Sequence, residues 1–374
     1  YTDDLLTSGD HRWGITGASL RSSATRDKLA TQDYLYSLRT QSEQDTSIRI
    51  IGSIKKILVP SQTEQTDALL QQIANPATQV VTLTITEKGY CLNHNGDLDI
   101  DHPDVVQDLQ QSATPATAAA MLAQGIALRM ANGGGPLTIL SCDNLARNGM
   151  ATCTMVMTML QHLHPNAAGW AADNLRFPSS MVDRIVPQTS AQDLAKFQEE
   201  TGYVDKGLVV CEPYSQWVIE NDFAGERPAW DGAGAQFAAN VQEFEEAKLR
   251  LLNATHSALA FLGMLTGYEY IHQTVANPQL LRFAVHLMDN EITPAVHCPS
   301  GLDLSQYKAN ILQRFANSAV PYRTGQVATD GSQKLTQRIF PTLLDRLAQG
   351  GNINGLCLVV AGWLRCLEGR ADDG

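Results

Sequence analysis

The segment Gln79-Val-Val-Thr-Leu-Thr-Ile-Thr86 decides the fold of the first half of this chain. Its β-branched and apolar residues leave neither face strongly polar, which is typical of a parallel strand covered by helices on both sides. Similar β-rich runs alternate with helical patterns around it, as in consecutive βαβ units. We therefore predict strands at residues 13–20, 49–59, 79–86 and 137–142, and helices at residues 26–39, 64–73, 117–130 and 148–163.

The alternation ends after Val182-Asp-Arg-Ile-Val-Pro187. A brief β-prone stretch follows at residues 208–211, and helical periodicity then dominates to the end of the chain. Helices are predicted at residues 242–265, 279–291, 304–315, 333–348 and 354–366. We place a domain boundary near Pro187, which gives an α/β domain at residues 1–187 and a mostly helical domain at residues 188–374.

Composition limits the class of ligand. The 374 residues are enough for two hydrophobic cores. The longest apolar runs, such as residues 355–364, are too short to span a membrane. A formal net charge of -12 argues against a general nucleic-acid surface and against anionic membranes, although a local basic pocket remains compatible with it. We expect a small-molecule ligand, and a monomer or small homo-oligomer.

The cysteines indicate the cellular compartment. Seven of them are scattered along the chain without any C-x-x-C pair, so neither a disulfide framework nor a structural zinc site is indicated. No signal peptide opens the sequence, and a reducing cytoplasm is the simplest interpretation. The first residue is Tyr1 rather than methionine, and we expect the chain to start inside a longer gene product.

Three polar residues fall on one apolar stripe of the predicted helix at residues 241–267. At about 100° per residue, Lys248, Asn253 and His256 lie within roughly 140° of arc. An isolated Asn or His on such a stripe is more often a satisfied core residue. A buried lysine, however, is costly unless it is paired or neutral, so the three together favour a catalytic site. Glu245 lies on the same arc and is a candidate partner for Lys248.

Three predicted strand ends of the first domain carry polar residues. They are Thr84-Ile-Thr-Glu-Lys-Gly-Tyr90, Ser141-Cys-Asp-Asn144 and the loop that begins Phe177-Pro-Ser-Ser-Met-Val-Asp183. Ligands of doubly wound folds bind at the carboxyl ends of the strands, so this edge is the predicted binding edge. Asn144 is either a site residue there or an ordinary helix N-cap.

The glycine-rich phosphate loop of dinucleotide-binding folds is missing from its usual place. Such folds open with a strand, G-x-G-x-x-G and a helix. Gly14-Ile-Thr-Gly17 instead lies inside a strand pattern, and Gly133-Gly-Gly135 precedes a strand. Both are interpreted as structural glycines. If the usual first strand preceded Tyr1, the sheet would lack its central member.

At these residues the sequence resembles the long-chain polyol and sugar-acid dehydrogenases, the mannitol dehydrogenase and fructuronate reductase family. The resemblance spans nearly the whole chain. The matching blocks are Trp13-Gly-Ile, Gln32-Asp-Tyr-Leu-Tyr36, Leu83-Thr-Ile-Thr-Glu-Lys-Gly-Tyr90, Ser141-Cys-Asp-Asn144, Phe177-Pro-Ser-Ser-Met-Val-Asp-Arg-Ile-Val-Pro187, Cys211-Glu-Pro213, Gln216-Trp-Val-Ile-Glu220, Lys248-Leu-Arg-Leu-Leu-Asn253 and His256-Ser257.

The resemblance implies a fold and a cofactor. It implies an amino-terminal Rossmann-type domain, a largely helical carboxy-terminal domain, and an active site in the cleft between them. Because the family has a glycine-rich strand and helix before the position of Tyr1 and continues beyond Gly374, the chain is expected to be trimmed at both ends. NAD is the implied cofactor. Thr84, Thr86 and Lys88 are assigned to cofactor binding, and Arg21 after the first strand is suited to a 2′-phosphate, which keeps NADP as an alternative.

The resemblance also implies a metal-independent mechanism. Lys248 is the general base, while Asn144 and Asn253 donate hydrogen bonds to the substrate oxygen as it gains negative charge. His256 orients that oxygen or a neighbouring hydroxyl. Asp183 positions substrate or cofactor, or else forms a structural salt bridge.

The substrate is predicted from a later segment. Arg323-Thr-Gly-Gln326 and Asp330-Gly-Ser-Gln-Lys-Leu335 with Arg338 are more similar to fructuronate reductases than to mannitol dehydrogenases. Arg323, Lys334 or Arg338 would meet the carboxylate of a hexuronate such as D-fructuronate, or they are surface charges that cap helices. Mannitol or arabinitol is the alternative substrate. Rival hypotheses are a 3-hydroxyacid or phosphogluconate type of dehydrogenase, and a catalytically silent scaffold.

Overall fold

The computed structural model describes residues 1–61, 63–110 and 114–372, and the chain divides into two compact units. Unit 1 consists of Tyr1–Arg39, Ser47–Cys211 and Ser215–Val241. Unit 2 consists of Thr40–Thr46, Glu212–Tyr214 and the chain from Gln242 onwards. Each unit has a hydrophobic core of its own.

The strands of the described chain lie in unit 1, except for the end of the second strand and the first residue of the third, which belong to unit 2. They are β1 (Ile15–Ala18), β2 (Tyr36–Gln41), β3 (Thr46–Ile51), β4 (Ile54–Leu58), β5 (Val80–Leu83), β6 (Leu137–Ser141), β7 (Leu175–Arg176), β8 (Ser180–Asp183), β9 (Val209–Cys211), β10 (Gln216–Glu220) and β11 (Gln236–Ala238). They form four small sheets, in the orders β1-β4, β3-β2-β9, β5-β6-β7 and β11-β10-β8. The strand pairs β1-β4, β5-β6 and β6-β7 are parallel, as predicted for this half of the chain.

The helices of unit 1 cover these strands. They are α1 (Thr2–Thr7), α2 (Ala24–Ala30), α3 (Thr63–Ala74), α4 (Pro103–Leu109), α5 (Ala118–Ala131), α6 (Asn148–Leu163), α7 (Pro165–Asn174) and α8 (Ala191–Thr201). All five residues of β6 are buried, and α3, α5 and α6 pack together in the surrounding core. The Thr117 side chain caps α5 by accepting a hydrogen bond from the Ala120 N–H at 3.1 Å.

Most of the sequence patterns of this half are confirmed, and three predicted elements differ in the structure. The helix predicted at residues 26–39 ends at Ala30, because Asp33 and Tyr34 adopt left-handed φ values of 53° and 60° and turn the chain into β2. The single strand predicted at residues 49–59 is two strands separated at Gly52. The predicted strand at residues 79–86 ends at Leu83, so Thr84 and Thr86 lie in the loop that follows.

Unit 2 is helical. Its helices are α9 (Gln242–Ala247), α10 (Ala254–Leu265), α11 (Ile271–Ala276), α12 (Pro278–His286), α13 (Leu304–Ala316), α14 (Thr324–Ala328), α15 (Gly331–Arg338), α16 (Phe340–Ala348) and α17 (Asn354–Asp372). Two π-helical segments, Lys248–Asn253 and Leu287–Ile292, continue α9 and α12 respectively. The centre of the unit is α10, which is buried along most of its length and packs against α11, α14 and α17.

One predicted helix of this half is interrupted. Residues 333–348 form α15 and α16 rather than one helix, because Pro341 cannot donate a backbone hydrogen bond and therefore lies in the first turn of a new helix. The predicted helices at residues 304–315 and 354–366 are confirmed, although the second extends further, to Asp372.

The chain also divides later than the predicted boundary near Pro187. Strand β10 pairs antiparallel with β8, with Gln216 opposite Asp183, and parallel with β11. Most of residues 188–241 therefore belong to unit 1. This pairing joins segments far apart in sequence, and no local pattern indicates it. Among the described residues, no helix has the length and apolar character needed to cross a membrane.

Candidate active site

Lys248, Asn253 and His256 lie on one continuous helical segment of unit 2, as predicted. The segment is not a uniform α-helix, since α9 ends at Ala247, the π-helical turn spans Lys248–Asn253, and α10 begins at Ala254. Lys248 is 9% exposed, while Asn253 and His256 are partly buried. The structure therefore gathers three of the four predicted catalytic residues on one element, and the lysine is buried as proposed.

His256 is held by two aromatic rings. Its imidazole stacks on Phe315 with ring centroids 4.8 Å apart, and it meets the ring of Tyr322 edge-on at 5.6 Å. The Nε2 atom is inaccessible and has no hydrogen-bond partner among the described residues. A polar atom that is buried without a partner is costly, so a ligand hydroxyl would satisfy it.

The surroundings of His256 keep it uncharged. Burial, and to a lesser extent the positive charges of Arg338, Arg314 and Lys334, lower the pKa of His256 to about 3. The imidazole is therefore neutral at physiological pH. It can orient a hydroxyl group, but it does not exchange protons as an acid and base there.

Two of the three predicted anion-binding residues lie beside His256. Arg338 Nη1 donates to Ser257 Oγ at 3.1 Å, while its buried Nε has no hydrogen-bond partner among the described residues. Burial lowers the pKa of Arg338, and no carboxylate of the described chain forms an ion pair with it. Lys334 Nζ donates to the Val327 carbonyl at 3.1 Å, and burial lowers its pKa as well. These groups favour an anionic ligand.

The third residue, Arg323, is placed differently. Its guanidinium forms an ion pair with Glu269 at 2.6 Å, and both side chains are more than half exposed. The guanidinium also lies over the ring of Tyr270, 5.5 Å from its centroid. It is not among the positive charges that lower the pKa of His256. Arg323 is therefore compensated by an acidic neighbour, whereas Arg338 is not.

Sequence reasoning assigned no role to a buried ion pair near the cluster. Arg314 and Glu212 are 5% and 2% exposed, with Arg314 Nη2 at 2.8 Å from Glu212 Oε1. The guanidinium also lies 4.1 Å from the centroid of the Tyr214 ring. The signal was present in the block Cys211-Glu-Pro213, whose acidic residue sits in an otherwise apolar stretch. Glu212 compensates the charge of Arg314, so Arg314 is not assigned to bind an anionic ligand. Its positive charge still helps to lower the pKa of His256.

Unit 1 has a polar edge of its own at the carboxyl ends of β5 and β6. The Asp143 carboxylate accepts hydrogen bonds from the Ile85 and Thr86 N–H groups at 3.0 and 2.9 Å, and from the Tyr90 hydroxyl at 2.8 Å. Thr86 has a φ of 62°, an uncommon value for a β-branched residue. Asp143, which sequence reasoning left without a role, thus holds the loop at residues 84–90 against the end of β6.

The structure bears on one of the two readings of Asn144, the helix N-cap. Helix α6 begins at Asn148, and its N-cap position is occupied by Arg147 in a left-handed conformation with a φ of 52°. Asn144 lies three residues before that cap and is exposed, so the N-cap interpretation is wrong. Asp183 ends β8 and is 7% exposed. Both residues belong to unit 1.

The predicted cofactor-binding residues also belong to unit 1. Thr84, Thr86 and Lys88 are exposed in the loop after β5, and Arg21 is exposed in the loop between β1 and α2. Hydroxyl and ammonium groups beyond the carboxyl ends of parallel strands fit a nicotinamide dinucleotide, whose phosphates and riboses need such donors. Within the described part of the chain, no group of three or more His, Cys, Asp and Glu side chains is arranged to hold a metal ion.

Two protein-family models match the chain. The mannitol dehydrogenase Rossmann domain matches residues 3–232, and the mannitol dehydrogenase C-terminal domain matches residues 240–374. The two matched ranges meet close to the division that the structure shows after Val241.

Curated relatives and solved structures agree with these models. The D-mannonate oxidoreductase of Escherichia coli (strain K12) is 40% identical over the full chain and 78% of its own length. A mannitol 2-dehydrogenase of Phaeosphaeria nodorum is 37% identical over the full chain and 67% of its own length. The ternary complex of Pseudomonas fluorescens mannitol 2-dehydrogenase with NAD and D-mannitol superposes with a TM-score of 0.86 at 36% identity, over 97% of this chain and 74% of that one. The structure of substrate-free D-sorbitol dehydrogenase superposes with a TM-score of 0.90 at 31% identity, over 97% of this chain and 76% of that one.

Proposed function

The chain belongs to the mannitol dehydrogenase family, and on this premise we propose that it interconverts D-mannonate and D-fructuronate with NAD(H). As a member of this family it is an oxidoreductase that acts on CH–OH groups of polyols or sugar acids. The proposal concerns which of these substrates it prefers and which residues act on it.

The uncompensated charge of Arg338 carries the substrate assignment. Its side chain is half-buried, its Nε atom is buried without a hydrogen-bond partner, and it has no acidic partner among the described residues. A buried cation without a counter-charge is costly, and the carboxylate of a sugar acid would supply that charge. An uncharged polyol would not. The relative that is 40% identical is a D-mannonate oxidoreductase, which supports the same choice.

The proposed mechanism assigns a task to each residue. Lys248, buried in the π-helical turn, takes the hydroxyl proton of the alcohol and returns it when the ketone is reduced. Asn253 and Asn144 are both proposed as hydrogen-bond donors to the oxygen that gains negative charge. Neutral His256 orients a substrate hydroxyl through Nε2.

The cofactor supplies the hydride chemistry when it is bound. Thr84, Thr86 and Lys88 would hold it at the polar edge of unit 1. Arg21 lies near the position that distinguishes a ribose hydroxyl from a 2′-phosphate. We propose NAD as the preferred cofactor, in line with the relative whose structure contains NAD. Asp183 is proposed to position substrate.

A comparison of two ketones tests the substrate assignment. NADH oxidation is followed with D-fructuronate and with D-fructose, and kcat/KM is expected to favour fructuronate. In Arg338→Met, kcat/KM for fructuronate should fall about 10- to 100-fold, because a charge-assisted hydrogen bond is lost, while the value for fructose should change little. The exposed Arg365, paired with Glu368, gives the control Arg365→Met. A wild-type preference for fructose would contradict the proposal.

D-Mannitol and D-fructose are the second candidate substrate pair. Several mannitol 2-dehydrogenases are 36–37% identical to this chain over its whole length. Equal loss of activity towards both ketones in Arg338→Met would favour this candidate, since it would mean that Arg338 contacts a hydroxyl group common to both substrates.

A further inference from the structure

The π-helical turn at Lys248–Asn253 changes the geometry of the proposed site. In a uniform α-helix, Lys248 and Asn253 would point about 140° apart. A π-helical turn bonds each residue to the fifth along the chain and holds roughly 4.4 residues, which reduces the separation to roughly 50°. His256 follows three α-helical steps later, so all three side chains lie within roughly 60° of arc. The wide turn thus brings base and oxyanion donor onto one narrow face.

A wide turn of this kind needs to be held in place. π-Helical segments are rare and occur mostly as single turns within α-helices. Leu251 and Leu252 anchor one side of this turn in the core of unit 2, where they are 0% and 6% exposed. Apolar contacts tolerate rotation better than directional hydrogen bonds do. The opposite side of the turn carries Arg250, whose side chain is 13% exposed.

Arg250 makes directional contacts to three separate elements. Its Nη1 donates to the Ala295 carbonyl at 2.9 Å and to Asp345 Oδ2 on α16 at 2.5 Å. Its Nη2 contacts Glu246 Oε1 on α9 at 2.9 Å. Ala295 ends the short turn Thr293–Ala295, which directly follows the second π-helical segment, Leu287–Ile292. The two π-helical segments also pack against each other.

We infer that Arg250 is a positioning residue that holds the π-helical turn in register, and thereby sets the mutual orientation of Lys248, Asn253 and His256. Its catalytic consequence rests on the proposed function, while its effect on the turn does not. The contacts of the guanidinium described above are with Ala295, Asp345 and Glu246, and not with Lys248, Asn253 or His256. It acts by fixing the backbone that carries them, so its loss should impair the chemical step rather than substrate binding.

Two variants of Arg250 test the inference. Arg250→Met keeps the length of the side chain and removes its donors, and Arg250→Lys keeps the charge but not the fork of N–H groups. In Arg250→Met, kcat for fructuronate should fall about 10- to 100-fold, because small displacements of catalytic groups have effects of this size. KM for NADH should stay within about twofold. The primary isotope effect with deuterated NADH should rise, and Arg250→Lys should recover part of kcat.

A second measurement does not depend on activity. Amide hydrogen exchange at residues 248–253 should become faster in Arg250→Met, because the turn opens more readily, and exchange in α5 of unit 1 should not change. Arg365→Met, which removes an exposed ion pair of the same unit, is the matched control and should change neither kcat nor exchange at the turn.

The outcomes separate the inference from the proposed function. Unchanged exchange at residues 248–253 in Arg250→Met overturns the inference whatever the activity. A fall in affinity with kcat unchanged overturns its catalytic half. If the wild-type protein turned over no polyol or sugar acid, the proposed function would fail, and exchange would still decide whether Arg250 holds the turn. Should Arg250→Met not fold, Asp345→Asn and Glu246→Gln each remove one acceptor and are measured in the same way.

Discussion

His256 shows how strongly a local environment changes the chemistry of a residue. Its sequence position marks it only as one polar residue on an apolar stripe. In the structure, two rings enclose the imidazole and nearby cations disfavour its protonation, so that it stays neutral. It is therefore suited to hold a hydroxyl group, and we propose that Lys248 carries the proton transfer.

The depressed pKa of His256 predicts acid sensitivity of the fold. Between its folded pKa of about 3 and its unfolded value of about 6.5, the unfolded chain binds a proton that the folded protein does not. The contribution of the neutral ring to the free energy of unfolding is therefore fully present above pH 6.5, and it decreases as the pH falls towards 3. From pH 7 to pH 5, the wild type should lose about 1 to 2 kcal/mol more than His256→Gln.

Denaturant unfolding at several pH values measures this difference. His297→Gln is the control, because that side chain is 85% exposed and its replacement should leave the pH dependence almost as in the wild type. A His256→Gln variant as acid-sensitive as the wild type would show that another group is responsible.

Lys248 and Asn253 give the most direct catalytic prediction. Lys248→Ala should lower kcat about 10²- to 10⁴-fold, because general-base assistance is lost, and Asn253→Ala or Asn144→Ala about 10²-fold through loss of an oxyanion donor. Circular dichroism should show a retained fold. Lys196→Ala, at an exposed lysine of unit 1, should leave kcat as in the wild type. Full turnover by Lys248→Ala would remove Lys248 as the base.

At the scale of elements, the ends of β5 and β6 depend on one carboxylate. Asp143 satisfies two backbone N–H groups of the loop at residues 84–90 and the hydroxyl of Tyr90, which is fully buried. Burial raises the pKa of Tyr90, so its hydroxyl remains a donor. The loop carries Thr84, Thr86 and Lys88, and its conformation follows from Asp143 rather than from its own sequence.

Asp143→Asn tests this dependence. An amide group accepts through only one of its two heavy atoms, so at least one of the three donors loses its acceptor, and the free energy of unfolding should fall by about 1 kcal/mol or more. The Michaelis constant for NADH should rise with it, because the loop moves. Asp101→Asn at an exposed position is the control. If neither the free energy of unfolding nor the KM for NADH changed, the conformation of the loop at residues 84–90 would not depend on Asp143.

The same scale explains why some elements were misjudged from the sequence. Pro341 divides the predicted helix at residues 333–348, and left-handed Asp33 and Tyr34 end α2 early. Apolar periodicity alone favoured longer elements, because it gives no weight to Pro341 and does not show the left-handed conformation of Asp33 and Tyr34. In contrast, the bounds of α3, α5 and α6 were predicted within one or two residues, because each is a long helix without proline.

At the scale of the whole molecule, the two units divide the proposed work. Unit 1 carries the residues proposed to hold the cofactor, and unit 2 carries the proposed base and anion-binding groups. Cofactor preference is therefore expected to show in the stability of unit 1. NADH should raise the unfolding temperature more than NADPH at equal concentration, since a ligand at 100 times its Kd stabilises by about 2.7 kcal/mol.

Differential scanning fluorimetry with each reduced cofactor measures this preference. In Arg21→Gln, the response to NADPH should weaken while the response to NADH persists, because Arg21 is the residue suited to the 2′-phosphate. A larger shift with NADPH in the wild type would assign the protein to NADP.

The sequence by itself determined the two-part plan of this protein, its parallel β-strands, the helix that carries Lys248, Asn253 and His256, and its membership of a dehydrogenase family. These follow from periodicity and short motifs, which are local properties. Only the tertiary structure decided that β10 and β11 belong with the first unit, that the helix carrying Lys248, Asn253 and His256 contains a π-helical turn, and that Arg338 is half-buried without an acidic partner among the described residues while Arg323 has one. The physical reason is that strand pairing, burial and electrostatic fields are sums over residues distant in sequence, and no window along the chain contains them.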